Sequence, residues 1–262
     1  MTNLVSIFLY DSNAAVSKAV LDELAAPLSD DERERAARFG HAGARRDFVT
    51  GRFLLRHALT RHCPTCLPKD WQFVIGPYGK PALADDSPAL QFNLSHTKGL
   101  LACAITEAGA VGIDVETLER KSDLEKLARR FFSPLESKAL LALPVEQRRE
   151  RFFRIWTLKE AYIKARGGGL GISLGSFSYT FKASDALQLQ VHEGEEPCAC
   201  WQAHSYRVGA VHRLGLVLPG SAPPRVPALT LESFWLGEPE HRAQPEWLGG
   251  TLELPGSTME VG

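Results

Sequence analysis

The chain has 262 residues, 44% of them hydrophobic, and a formal net charge of −1. That length suits one large domain or two small ones, and the apolar content supports a proper core, which excludes a largely disordered chain. No global field draws in nucleic acid, so none is expected as a partner. Any phosphate site has to be a local cluster of Lys and Arg.

Residues 4–10 read as a strand. The stretch from Met1 to Tyr10 lacks a basic region ahead of its apolar residues, so a first strand is expected there rather than a signal peptide. No apolar run approaches the roughly 18 residues that cross a bilayer, and no membrane partner is expected. The cysteines at 63, 66, 103, 198 and 200 have an odd count and no framework spacing. A reduced, cytoplasmic protein is the simplest reading.

A helix is expected over 14–25. Ser29-Asp-Asp-Glu32 is a capping box that starts another helix, carrying Arg33, Arg35 and Arg38. A third helix is expected over 44–62, with apolar positions toward a core and arginines, among them Arg45 and Arg46, along another side. Composition alone favours a solvated basic face there over a phosphate site. Cys63-Pro-Thr-Cys66 ends this helix. A zinc site takes about four ligands, so the pair reads as loop thiols.

Trp71–Ile75 alternates like a strand, and Gly76-Pro-Tyr-Gly-Lys-Pro81 is a tight turn that holds up Lys80. Phe92-Asn-Leu-Ser-His96 reads as a polar turn before the apolar strand 100–105. It is either an anion contact or a hairpin whose Asn and Ser satisfy the turn backbone. In Gly112-Ile-Asp-Val-Glu116, a strand period of two points Asp114 and Glu116 the same way.

Ser122-Asp-Leu-Glu125 and Ser133-Pro-Leu-Glu136 are further capping boxes, the second with Pro134 at the first helical position. A long helix over 145–166 closes at Gly167. Along it Trp156, Lys159, Glu160, Ile163 and Lys164 recur at i, i+3, i+4, i+7 and i+8, on one broad face. Three carboxylates and two lysines are therefore expected near one point, a seat for a divalent cation and a phosphate-bearing substrate.

Strands are expected at 177–182, 187–192, 199–206, 208–212 and 214–218, as an antiparallel meander. Residues 221–262 are rich in Pro, Gly and Glu and lose periodicity, so they read as a loosely packed or partly disordered tail. The order of elements repeats coarsely. This predicts an α+β fold of two similar, pseudo-symmetric α/β halves, 1–108 and 109–220, with a ligand cleft at their junction.

The ordered series YGKP (78–81), FNLSH (92–96), GIDVE (112–116), RFFSPLE (130–136) and WTLKEAYIKARGGGL (156–170) resembles the Sfp-type 4′-phosphopantetheinyl transferases over residues 4–218. The resemblance implies transfer of the 4′-phosphopantetheine arm of coenzyme A to a serine of apo acyl or peptidyl carrier proteins. It also implies release of adenosine 3′,5′-bisphosphate by a monomer, with Mg²⁺ on the second half. Asp114, Glu116 and Glu160 match the family's metal ligands, and oxygen ligands accept Mn²⁺ as well as Mg²⁺.

Glu160, directly or through a metal-bound water, is the expected base for the serine hydroxyl. Lys164 matches a lysine that assists the departing phosphate. Lys159, Lys80, Ser95, His96, Arg35 and Arg46 match coenzyme A contacts. Glu32 and Phe48 stand where some members carry Lys and Thr, with Arg33 or Arg45 as candidates to compensate. Two other readings stay open: a catalytically weak coenzyme A or carrier-binding module, and a metal-dependent nucleotide phosphoesterase.

Overall fold

The computed structural model describes residues 5–12, 16–76, 80–85, 87–107, 109–182, 187–191 and 201–220, and the backbone of 229–233 and 246–250. The first run of elements is β1 (Val5–Asp11), α1 (Lys18–Ala25), α2 (Asp30–Ala37), α3 (Ala42–His62), β2 (Phe73–Ile75), β3 (Pro81–Leu83), β4 (Gln91–Thr97) and β5 (Leu100–Thr106). The second is β6 (Gly112–Thr117), α4 (Leu124–Phe131), α5 (Pro134–Leu141), α6 (Val145–Arg166), β7 (Phe177–Phe181), β8 (Leu187–Val191), β9 (Trp201–Val208) and β10 (His212–Pro219). Two more strands follow, β11 (Leu229–Ser233) and β12 (Glu246–Gly250).

The two runs repeat one plan. In each, the first strand pairs antiparallel with the last, and the last with the strand before it: β1-β5-β4 and β6-β10-β9. Each contains one long helix, α3 or α6, and one satellite hairpin, β2–β3 or β7–β8. The α+β fold of two similar halves is therefore what the chain adopts.

Strand alternation explains the layering. Phe8, Tyr10, Leu101 and Cys103 face α3, whose Leu54, Leu55 and Ala58 pack on them. The alternate residues Val5, Ile7, Leu9 and Ala102 join Ile113, Val115, Leu214 and Leu216 of the other sheet in one core. On the far side of the second sheet, Leu158, Ala161 and Tyr162 of α6 pack with Ala203 and Val217. The shared core fixes the two halves against each other.

Two glycines let α6 lie directly on its sheet. A Cβ at Gly112 would stand 1.9 Å from the Ala161 carbonyl oxygen, and one at Gly215 would stand 2.5 Å from that of Thr157. Any side chain at either place would lift the helix off β6 and β10.

The capping boxes at Ser29/Glu32 and Ser133/Glu136 form as the sequence predicts. Gly167 ends α6 at φ 69°. At α4 the cap is Asp123, not Ser122: its carboxylate accepts from Lys126 N at 3.0 Å. Residues 91–97 are a strand, not a turn. The meander bends at 209–211, so the expected break between 212 and 214 is absent and β10 runs through it.

Part of the segment expected as a loose tail is also ordered into sheet. β11 lies parallel beside β1, and β12 antiparallel beside β9, each extending one sheet at its edge. Among the described residues no helix is long and apolar enough to cross a membrane.

Candidate active site

The halves meet where β4, the edge of the first sheet, runs beside β6, the edge of the second. The two strands are joined by side chains. Asn93 Oδ1 accepts from Ile113 N at 2.9 Å, and Ser95 Oγ accepts from Val115 N at 3.2 Å. Thr97 Oγ1 donates to Glu116 Oε2 at 3.4 Å. Residues 93, 95 and 97 share one strand face, so the period of two builds this polar seam and sends His96 the other way.

At its centre lies Asp114. Its Oδ1 accepts from Ser95 Oγ at 2.8 Å and from Lys164 Nζ at 2.6 Å. Lys164 also donates to Ser95 Oγ and to the Ile113 carbonyl, both at 3.1 Å. The close seating of α6 at Gly112 is what allows a lysine near the helix end to reach β6.

Glu116 and Glu160 stand in the field of this carboxylate. Burial pushes both above the usual carboxylate range, and the charge of Asp114 adds to it. Lys164 pulls Glu160 back down, while Glu116 pushes it further up. The three acids are thus electrostatic neighbours.

They do not form a ready-made cage: among the described residues no set of three His, Cys, Asp or Glu side chains is arranged to hold a metal ion. Cations of the chain occupy part of the space instead, Lys164 on Asp114 and Arg120 on Glu116 Oε1 at 2.7 Å. Asp114 Oδ2, however, is buried with no hydrogen-bond partner. An orphaned carboxylate oxygen beside two further carboxylates is a set of hard oxygen donors of the kind a divalent cation takes.

Beside the seam opens a cleft of about 680 Å³. Of the expected coenzyme A contacts it gathers Arg35, Ser95 and His96. Its wall also carries Phe48, with the guanidinium groups of Arg35 and Arg52 over its ring at 5.3 and 5.6 Å.

Arg52 is the residue sequence reasoning missed. The basic side of α3 read as solvated, yet Arg52 is largely buried, and Arg56 is 1% exposed with Nη2 2.7 Å from Glu32 Oε2. Arg52 Nε lies 3.4 Å from Glu32 Oε1. The signal was the spacing: Phe48, Arg52 and Arg56 recur every four residues and so share one helix face. Glu32 is therefore a partner of arginines. Arg33 and Arg45, the candidates to compensate, line a smaller recess near α1, where Arg33 pairs with Asp30 at 2.8 Å.

Three other expected contacts lie elsewhere. Lys159 is a correction. Its side chain is fully buried, 2.8 Å from Glu136 Oε2, and donates to the carbonyls of Leu174 and Phe177 at 2.6 and 2.5 Å. Successive helix residues are turned about 100° apart, so Lys159 points to α5 and β7 while Lys164 points to β6. Lys80 donates to the Lys164 carbonyl at 2.7 Å, at the end of α6. Arg46 pairs with Asp47 at 3.3 Å and lines a separate recess of about 530 Å³ that it shares with His96.

The model of the 4′-phosphopantetheinyl transferase superfamily matches residues 110–216, which hold β6, α6 and the acids. The 4′-phosphopantetheinyl transferase HetI of Nostoc sp. is 46% identical over 152 residues, covering 57% of this chain and 64% of that protein. The 4′-phosphopantetheinyl transferase Sfp of Bacillus subtilis is 32% identical over 172 residues, 65% of this chain and 74% of Sfp. The crystal structure of Thermotoga maritima holo-[acyl-carrier-protein] synthase aligns at a TM-score of 0.34 and 28% identity, over 44% of this chain and 64% of that one, too loosely to carry weight. With nearly three quarters of Sfp matched at that identity, the chain belongs to the 4′-phosphopantetheinyl transferase family.

Proposed function

We propose that the protein transfers the 4′-phosphopantetheine arm of coenzyme A to a serine of apo acyl or peptidyl carrier proteins, with Mg²⁺. The observation that carries this reading is the meeting of Asp114, Glu116, Glu160 and Lys164 at the inter-half seam, beside a cleft with an arginine-flanked aromatic wall. Arg35, Arg52 and His96 supply the cationic and hydrogen-bonding wall for the nucleotide end, and Phe48 a face for its base. Asp114, Glu116 and Glu160 are the residues that would hold a divalent cation, which would supply charge neutralisation at the pyrophosphate.

The carrier serine Oγ attacks the phosphorus that bears the pantetheine arm. The bond to the second phosphate breaks, and adenosine 3′,5′-bisphosphate leaves. Glu160, directly or through an intervening water, takes the serine proton; a cation held by its carboxylate would lower its proton affinity, which favours the route through water. Lys164, already aimed at Asp114, stabilises the oxyanion of the leaving phosphate. In this reading residues 1–108 hold the nucleotide, 109–220 the metal and the chemistry, and the protein works as a cytoplasmic monomer.

The test incubates the protein with coenzyme A, Mg²⁺ and a panel of apo carriers and weighs the carriers. A carrier heavier by one phosphopantetheine arm is expected, with turnover abolished in Glu160→Ala and severely slowed in Lys164→Ala. Coenzyme A bound tightly but never transferred would favour a binding module. Coenzyme A consumed without a carrier would favour a phosphoesterase.

A further inference from the structure

The turn that ends α3 plays no part in the proposed transfer. Cys63 and Cys66 stand there with Sγ atoms 3.7 Å apart, both partly exposed at the rim of the first half's core. Cys66 N donates to the Cys63 carbonyl at 3.0 Å, so Cys63-Pro-Thr-Cys66 is a closed four-residue turn with Pro64 at its second position. Such a turn holds its end Cα atoms within about 7 Å. Disulfides span about 4.4–6.8 Å between Cα atoms. The sulfurs therefore need only small side-chain rotations to bond.

We propose that Cys63 and Cys66 form a redox-active dithiol that closes to an intramolecular disulfide by exchange with a small disulfide of the glutathione class. Cys63 is the attacking sulfur. Thr65 Oγ1 lies 3.2 Å from it, and hydrogen bonds from Thr65 and from the neighbouring thiol hold it below the ordinary thiol range. Cys66 is held above that range by the same pairing. The Cys63 thiolate attacks one sulfur of the oxidant and expels one thiolate, leaving a mixed disulfide. Cys66 then loses its proton to solvent, attacks Cys63 Sγ and expels the second thiolate. The pair loses two electrons, and one oxidant disulfide becomes two thiols.

The position gives the bond a structural consequence. α3 ends at Cys63, whose N–H donates to the Leu59 carbonyl. Just beyond the turn, the carbonyls of Pro68 and Trp71 accept from Arg56 at 2.8 and 3.0 Å. The disulfide would lock the turn that joins the helix carrying Arg52 and Arg56 to the segment carrying these acceptors. Cys103 is an internal contrast: it is fully buried, its thiol is pushed up by burial alone, and it is inert to exchange in the folded protein.

The experiment equilibrates the full chain in glutathione buffers of rising oxidised fraction, blocks free thiols with an alkylating reagent, and maps peptides by mass. Cys63 and Cys66 are expected to lose alkylation together, their peptide lighter by two hydrogens, with recovery on reduction. Cys66→Ser is expected to leave a glutathione adduct on Cys63. The proposal is overturned if both thiols stay alkylatable at every ratio, if each carries its own glutathione, or if either is found bonded to Cys198 or Cys200. None of these outcomes depends on the transfer reading.

Discussion

Lys159 Nζ lies 2.8 Å from Glu136 Oε2 with both side chains fully buried, while the next residue along α6, Glu160, faces the acids of β6. Glu136 also accepts from Tyr179 N at 2.8 Å and from Ser133 N at 3.0 Å. One carboxylate thus ties together the cap of α5, the start of the β7–β8 hairpin and α6. Removing one partner of such a pair leaves an uncompensated charge and costs about 3–5 kcal/mol. Lys159→Met is expected to lose that much in urea unfolding, and adding Glu136→Gln, which removes the charge but keeps an acceptor oxygen for the backbone donors, is expected to restore part of it. A Lys159→Met protein of unchanged stability but weakened coenzyme A binding would return Lys159 to the ligand.

The approach of α6 to β6 is tested at Gly112. A methyl there would meet the Ala161 carbonyl at 1.9 Å, closer than any relaxed contact. Overpacking of this kind costs about 3 kcal/mol, and it would also pull Lys164 away from Asp114. Gly112→Ala is expected to lose both melting temperature and turnover. Gly40→Ala, where an added Cβ meets nothing within 4 Å, is expected to stay within about 0.5 kcal/mol of the parent. Wild-type stability in Gly112→Ala would show that the helix is not seated this tightly.

Three crowded carboxylates repel, and a ligand that binds only the folded chain stabilises it by mass action. Mg²⁺ is expected to raise the melting temperature of the wild type. The rise is expected to vanish in Asp114→Asn, which alters the acid with the orphaned oxygen, and to shrink in Glu116→Gln. A shift of equal size in both variants would place the ion elsewhere.

His204 is buried on β9, neither ring nitrogen has a hydrogen-bond partner, and burial pushes the imidazole from 6.5 down to about 4. The unfolded chain takes up that proton first. Stability is therefore full above pH 6.5 and falls as the pH drops toward 4, by about 3 kcal/mol from this residue. His204→Phe is expected to flatten that part of the pH–stability curve. A curve unchanged by the substitution would mean the imidazole titrates normally.

Local chemistry was legible along the chain. Ser29 with Glu32, and Ser133 with Glu136, are caps written within four residues, and Gly167 stops α6 wherever the helix packs. The alternation at 112–116 put Asp114 and Glu116 on one side, and the order of motifs identified the family. Those features depend on neighbours in sequence, which is why they could be read from it.

Only the tertiary structure decided which cation met which acid. Lys159 and Lys164 read in the sequence as one broad face, yet five residues turn them about 140° apart, and α5 and β7 claimed the first and β6 the second. Arg52 and Arg56 look like a solvated stripe until α2 brings Glu32 against them. Asn93 and Ser95 look like turn residues until β6 presents its free N–H groups. Side-chain periodicity sets the direction in which a group points, but its partner is whatever the distant chain places there. Burying a charge or an amide is favourable only when that partner arrives.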